Sequence, residues 1–277
     1  MRVSTDRCEL EVRVWGEGEP ILTIHGGFCG EWFHPLLHQP VLDEYKRIAY
    51  WRHGYRYSSH PEAPPYPVEN VAEDAFAVLK RTGGDSGHVV GHSLGGLYAL
   101  QLALSHPDAV RTLILIEPTV LTPEFGEWMA GVQEQLQAEA APVDASAGTH
   151  VLLTSIHGDG TYRNLLDSAL PEDWFEQAVA DEEAGQTVEV PALQEWRFGP
   201  DEAKRIQCPV LLIRGGRSIP VFEQMVGYLK EWIPHAQEHI VPGAGHSELL
   251  AHPAETAEAL ANFLSSQRSH ESMAVTE

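Results

Sequence analysis

Cysteine is scarce, basic residues are outnumbered and no long apolar run occurs, and each shortage removes a class of protein. The 277 residues include only three cysteines, Cys8, Cys29 and Cys208. Odd in number and far apart, they exclude a disulfide framework and a thiolate zinc site and leave reduced thiols. Lys and Arg total 18 against 40 Asp and Glu, a formal charge of −22. Such a chain repels phosphate backbones and anionic lipid surfaces, so neither nucleic acid nor a membrane is expected as a partner. No stretch of about 18 apolar residues is available to span a bilayer. The opening "MRVSTDRCELEVRVWGEG" holds no apolar h-region, so no signal peptide is expected and the protein is read as cytoplasmic. No unit of about 20 to 50 residues repeats, which sets solenoids and propellers aside.

What is present is enough apolar material, 43% of residues, for one large core. "ELEVRVWG" alternates like a half-exposed strand, and "PILTIHGG" is a buried strand ending in glycines. A strand at 47–51, a helix at 69–82, a strand at 87–91, a helix at 94–106 and a strand at 112–117 follow, with an amphipathic stretch around 32–45. Alternation of this kind predicts an α/β protein with a mostly parallel sheet and helices on both faces. From 118 to 203 the pattern turns helical and acid-rich, which is too long for a connection and reads as a helical cap. The sheet pattern returns with "PVLLIRGG", a helix at 221–232, the strand "EHIV" and a last helix at 247–265. The predicted organisation is therefore a core of 1–117 and 204–265, a cap of 118–203, and a disordered tail of 266–277.

"HVVGHSLGGLYAL" sets Ser93 in a G-x-S-x-G turn between a buried strand and a helix. A strand that reverses into a helix this quickly forces strained dihedrals on the serine, and side chains two positions to either side would clash. Gly91 and Gly95 remove those clashes. The hydroxyl then projects above the sheet, and the helix beginning near Leu94 aims its N–H groups at a developing oxyanion. Among 15 histidines, His246 in "VPGAGHSELLAHP" follows a strand and precedes the last helix, where a glycine loop can carry an imidazole back over the sheet edge. A serine hydroxyl needs such a base before it is a useful nucleophile.

These segments together, "ILTIHGGFCG", "GHSLGG" and "VPGAGHSELLAHPAE", resemble the α/β-hydrolase fold superfamily over nearly the whole chain. The resemblance implies an eight-stranded sheet, a cofactor-free and metal-free serine hydrolase, and an oxyanion hole from the backbone N–H groups of Gly27 and Leu94, with Phe28 the second choice in that loop. His25 is expected to support the loop, and His92 to point away from Ser93.

The family's usual triad acid is an Asp in the loop after "PVLLIRGG", where this chain has Ser218. Two carboxylates compete for the role. Glu117 ends the strand "TLILIE" at the sheet edge where ligands collect, and the following Pro118 biases it toward extended geometry. Some haloalkane dehalogenases and zearalenone hydrolases resemble this arrangement, with a Glu in that place. Glu223 is the rival, close to the usual loop but in the first turn of a helix. Phe28, Tyr55 and Trp128 are candidate substrate contacts, with Phe125, Met129, Trp174 and Phe175 as further candidates for an apolar lining. Arg52 and Arg56 either bind a polar substrate or form salt bridges. The expected reaction is cleavage of an ester, lactone or thioester of a moderately apolar small molecule, or of a diketone C–C bond. A lyase or cofactor-free dioxygenase using His246 as base, or a non-catalytic receptor, are the competing readings.

Overall fold

Period-two alternation divides the apolar residues of the central strands between two opposite faces. In the computed structural model, which describes residues 1–28, 30–60, 66–139, 145–158, 162–185 and 189–274, the strands are β1 (Arg2–Ser4), β2 (Glu9–Trp15), β3 (Pro20–Ile24), β4 (Lys46–Tyr50), β5 (Gly87–His92), β6 (Val110–Ile116), β7 (Val210–Gly215) and β8 (Gln237–Val241). They form one eight-stranded sheet in the order β1-β2-β4-β3-β5-β6-β7-β8. Only the pairings of β2 are antiparallel. In register, Leu22, Val89, Leu113 and Val210 make one row, while Val90, Ile114 and Leu211 make a row on the opposite face.

Helices cover both faces because every strand at the centre is buried on both sides. Helix α1 (Val68–Thr82) buries Val68, Val71, Ala72, Ala75, Val78 and Leu79, a stripe at helical spacing. Helix α2 (Leu94–Ser105) is apolar nearly all round and is enclosed by its neighbours, with Leu97, Leu100 and Leu102 fully buried. Each such leucine contributes about 1.5–3 kcal/mol relative to exposure. Between β6 and β7 lie α3 (Pro123–Glu139), α4 (Ala145–His157), α5 (Tyr162–Ala169) and α6 (Trp174–Ala184). Helix α7 (Pro220–Trp232) follows β7, and α8 (Pro253–Ala274) closes the chain against the second face through Leu260, Phe263 and Leu264.

The amphipathic stretch around 32–45 forms short helical segments that bury Phe33, Leu36, Leu37, Leu42 and Tyr45. Two local expectations differ. The three-residue β1 lies at the sheet edge, where too few residues are paired to show alternation. Backbone helix runs on through Ala274 where a disordered tail from 266 is expected; no Gly or Pro stands between 254 and 274 to stop it. Among the described residues, no helix is long and apolar enough to cross a membrane.

The tightest point is the turn from β5 into α2. A Cβ on Gly95 would lie 2.0 Å from the Ile24 carbonyl oxygen, and one on Gly91 would lie 2.5 Å from the Gly95 carbonyl oxygen. Both obstacles are backbone atoms that cannot swing aside. Gly95→Ala should therefore lower unfolding free energy by about 3 kcal/mol or more. Gly131→Ala, on α3 with nothing within 4 Å of the new methyl, should raise it by about 0.5–1 kcal/mol. Urea titration of the two variants reads both signs.

Candidate active site

Ser93 occupies the turn with φ 54° and ψ −125°. Three backbone hydrogen bonds pin that strained geometry: its N–H donates to Ile116 O at 3.0 Å, and its carbonyl accepts from Gly96 and Thr119 N–H, each at 2.9 Å. The residue lines a cavity of about 390 Å³, within the range of small-molecule sites. His246 lines the same cavity, delivered by the loop after β8.

The imidazole of His246 is buried and its Nδ1–H donates to Glu117 Oε2 at 2.8 Å. That bond selects the tautomer with a bare Nε2, the form that can accept a proton. Phe222 stacks on the ring at 3.9 Å between centroids, and burial holds the imidazole well below its ordinary pKa, with His157 adding to the effect. Neutral imidazole is thereby the resting form at neutral pH.

Glu117 is fully buried. Its Oε1 accepts from the Gly215 N–H at 2.8 Å and from the Ser218 hydroxyl. Burial pushes the carboxyl up, to about 7, against the lowering effect of the Gly215 bond. Its backbone departs from the extended geometry that Pro118 predicts: φ is 40°. The reason is tertiary, since the Glu117 N–H is held by Ile213 O at 2.9 Å while the carboxylate turns toward the loops after β7 and β8. The rival Glu223 faces Arg214 at 3.3 Å in the first turn of α7 and is half exposed.

The loop after β3 is ordered from behind. The Arg52 backbone N–H donates to His25 Nε2 at 3.0 Å, so the His25 proton sits on Nδ1 and is donated to Gly26 O at 2.8 Å. An Arg52 Nη2 proton goes to the same oxygen at 2.8 Å. In a trans peptide the carbonyl and the next N–H point in opposite directions. Anchoring Gly26 O therefore turns the Gly27 N–H away from His25 and Arg52, and Gly27 lines the cavity. Leu94, the first residue of α2, supplies an N–H without an intrahelical acceptor beside it. Phe28 has φ 69°.

Phe28, Tyr55 and Trp128 all line the cavity, as do Phe125 and Met129. Trp174 and Phe175 do not: Trp174 Nε1 donates to Asp167 at 2.8 Å, and Phe175 lies under the Arg163 guanidinium. The two arginines of the turn after β4 are engaged in ion pairs with acidic residues. Arg56 meets Glu31 at 3.3 Å and Asp173 at 2.7 Å. Arg52, fully buried, pairs with Glu189, whose Oε2 also accepts from Tyr55 OH at 2.7 Å and whose Oε1 accepts from Tyr98 OH at 3.1 Å.

Three contributors were not assigned from sequence. His92, expected to point away from Ser93, lines the cavity and donates from Nε2 to His246 O at 2.9 Å, so it props the histidine loop. His157 gives its Nδ1 proton to Leu153 O at 2.8 Å and accepts from the Ser247 hydroxyl next to His246. Glu189 follows no recognisable pattern. Among the described residues, no group of three or more His, Cys, Asp or Glu is arranged to hold a metal ion.

A strained serine at a strand-to-helix turn, a carboxylate-bound imidazole and a glycine loop at one sheet edge belong to a known architecture. The sequence profile of the family described as alpha/beta hydrolase fold matches residues 19–253, and the chain belongs to that family. Its relatives are hydrolases. It is 28% identical to a 2-hydroxymuconate semialdehyde hydrolase of Pseudomonas putida, over 90% of this chain and 88% of that protein. It is 26% identical to a 2-(acetamidomethylene)succinate hydrolase of Mesorhizobium japonicum, over 95% and 94% respectively. A solved thermophilic esterase from Thermogutta terrifontis matches with a TM-score of 0.77 at 20% identity, over 96% of this chain and 98% of that one. The last likeness is one of fold.

The Arg52–Glu189 pair generates a stability prediction. Arg52→Met strands a buried carboxylate and should cost about 3–5 kcal/mol, whereas Arg52→Met/Glu189→Gln removes both charges and should cost less than about 2 kcal/mol. A double-mutant cycle by chemical denaturation measures the difference.

Proposed function

We propose that this protein is a serine hydrolase that cleaves an ester, lactone or related acyl bond of a moderately apolar small molecule. The observation that carries the reading is the buried Glu117 to His246 hydrogen bond, which leaves Nε2 unprotonated in the cavity that Ser93 also lines. Ser93 Oγ attacks the acyl carbon as His246 Nε2 takes its proton. Negative charge that develops on the carbonyl oxygen is accepted by the N–H groups of Gly27 and Leu94, each contributing about 3 kcal/mol at the transition state. Collapse of the tetrahedral intermediate breaks the bond to the leaving alcohol, which receives the proton from His246. Water, deprotonated by the same nitrogen, then releases the acid and returns the hydroxyl to Ser93.

Glu117 holds the ring orientation and stabilises imidazolium while it exists; Ser218 and the Gly215 N–H hold Glu117. The helices between β6 and β7 act as a cap, since Phe125, Trp128 and Met129 of α3 and Leu152 and Ile156 of α4 line the cavity. Phe28 and Tyr55 contact the substrate from the core side.

Ser93→Ala should abolish hydrolysis of 4-nitrophenyl esters and labelling by a fluorophosphonate, and Glu117→Gln should lower kcat/KM by about 10³-fold or more. Glu223→Gln should retain near-native turnover. The assignment fails if Glu223→Gln is the damaging change, or if Ser93→Ala still labels.

The pH dependence follows from the dyad. One proton taken up by the Glu117–His246 pair destroys the charged carboxylate or the bare nitrogen, whichever site it occupies. Burial raises the Glu117 carboxyl toward 7, so kcat/KM should hold above about pH 7 and fall tenfold per unit below it. In Glu117→Gln the carboxyl no longer titrates and only the depressed imidazole remains. Its residual rate should keep its plateau to lower pH, which stopped-time assays across pH 4–9 would read.

A further inference from the structure

Charge is distributed unevenly around the cavity, and the imbalance bears on the substrate. Its lining contains no Lys or Arg, and none of the residues outside the described set is Lys or Arg either. Arg52 stands behind the wall, bonded to two lining residues. Its Nη1 donates to Glu189 and its Nη2 to Gly26 O, with a longer contact to Glu189 at 3.5 Å. Glu189 itself is a lining residue, and its carboxylate accepts from Arg52, Tyr55 and Tyr98. The pair is closed on itself and electrically neutral. His92 and His246, the imidazoles of the lining, are held neutral by burial. No lining side chain thus carries a formal positive charge, and what the wall can offer an anion is neutral donors, among them backbone N–H groups and the Trp32 indole N–H.

We infer that the cavity selects uncharged substrates, and that Glu189 sets this selection by consuming the charge of Arg52. The inference rests on the hydrolase reading for its chemistry, and names the substrate class within it: esters or lactones whose acyl and alcohol parts carry no ionised group. A carboxylate carried on either part would lose its hydration among Phe28, Trp32, Phe125, Trp128 and Phe222 with no cation to replace the water. It would also meet the carboxylate of Glu189. A cationic group fares no better, because the Glu189 oxygens already accept hydrogen bonds from four groups, Arg52 Nη1 and Nη2, Tyr55 OH and Tyr98 OH.

Binding and turnover test the inference separately. Calorimetric titration of the wild-type protein at pH 8 with 4-phenylbutanamide and 4-phenylbutyrate, matched in shape, should show the amide bound about 30-fold more tightly or better. Glu189→Gln, which frees Arg52, should narrow the gap to about threefold or invert it. Gln194→Lys, a cation added to an exposed lining position, should raise carboxylate affinity about tenfold and decides the matter if Glu189→Gln does not fold. Equal binding of the two probes by the wild type overturns the inference, as does an unchanged gap in either variant. In parallel, 4-nitrophenyl pentanoate should exceed the 4-nitrophenyl monoester of glutarate in kcat/KM by about 100-fold. Equal cleavage of both esters refutes the charge selection and leaves the hydrolase reading standing; cleavage of neither refutes that reading while the binding comparison still judges the selection.

Discussion

A fully buried carboxylate must be bonded on every side or be protonated, and Glu117 meets that demand with three partners. The Gly215 N–H comes from the end of β7, the Ser218 hydroxyl from the loop beyond it, and the His246 ring from the loop after β8. One side chain on β6 therefore ties together three successive segments of the sheet edge. The two loops also hold each other: Gly216 N–H donates to Val241 O at 2.9 Å and Arg217 N–H to Ala244 O at 2.7 Å. In the loop after β7, Ser218 donates its hydroxyl proton to Glu117 Oε1, so the two side chains form one hydrogen-bonded unit.

A second buried charge organises the opposite wall. Arg52 donates to Gly26 O while its backbone N–H sets the His25 tautomer, so the peptide that presents the Gly27 N–H is fixed by two donors. Its guanidinium also lies over the rings of Tyr55 and Tyr98, 4.3 and 4.8 Å from their centroids. Because Glu189 belongs to the segment between β6 and β7, this ion pair fastens that segment to the core beside the cavity. Desolvating both charges consumes most of their attraction. What the pair supplies is location: it holds a loop N–H, the segment between β6 and β7 and part of the cavity lining in one arrangement.

The parts that were legible in the sequence are those written in short windows. Strand alternation, the apolar stripe of α1 and the glycines around Ser93 each act within about a dozen residues; β4, β5, β6, β7 and β8 lie within two residues of the segments read from sequence, while the segment read as β3 runs on past Ile24 into the glycines. That His246 reaches the cavity is legible because a glycine loop after a strand has few destinations. Glu117 needed one further step, the neighbour relation of β5, β6 and β7, which the sheet order carries. Pairings across long separations were not legible. Arg52 and Glu189 are 137 residues apart, and His157 and Ser247 are 90 apart; no local rule selects one acid among 40 for a given arginine. The conformation of Glu117 is not legible locally for the same reason. A proline after it biases the backbone locally, and three tertiary hydrogen bonds to its carboxylate outweigh that bias.

Strain gathers where these long-range contacts converge. Of the four non-glycine residues with positive φ among the described residues, Phe28 and Ser93 follow β3 and β5 and line the cavity, and Glu117 follows β6 and bonds His246 of the same lining; the fourth is Arg56. Each such backbone costs about 1–3 kcal/mol and persists only if its surroundings leave it no alternative. Around Ser93 the surroundings are backbone atoms: Ile116, Gly96 and Thr119 hold its N–H and carbonyl, and Gly95 abuts Ile24 O too closely for any side chain. Around Glu117 they are the hydrogen bonds of a carboxylate that has no other place to be satisfied. The sheet centre, with β3, β5 and β6 buried on both faces, is the part of the molecule least able to relax. Setting strained residues at its edge ties their geometry to the core beneath them, and under the proposed function that rigidity is what the roles of Ser93 and Glu117 call for.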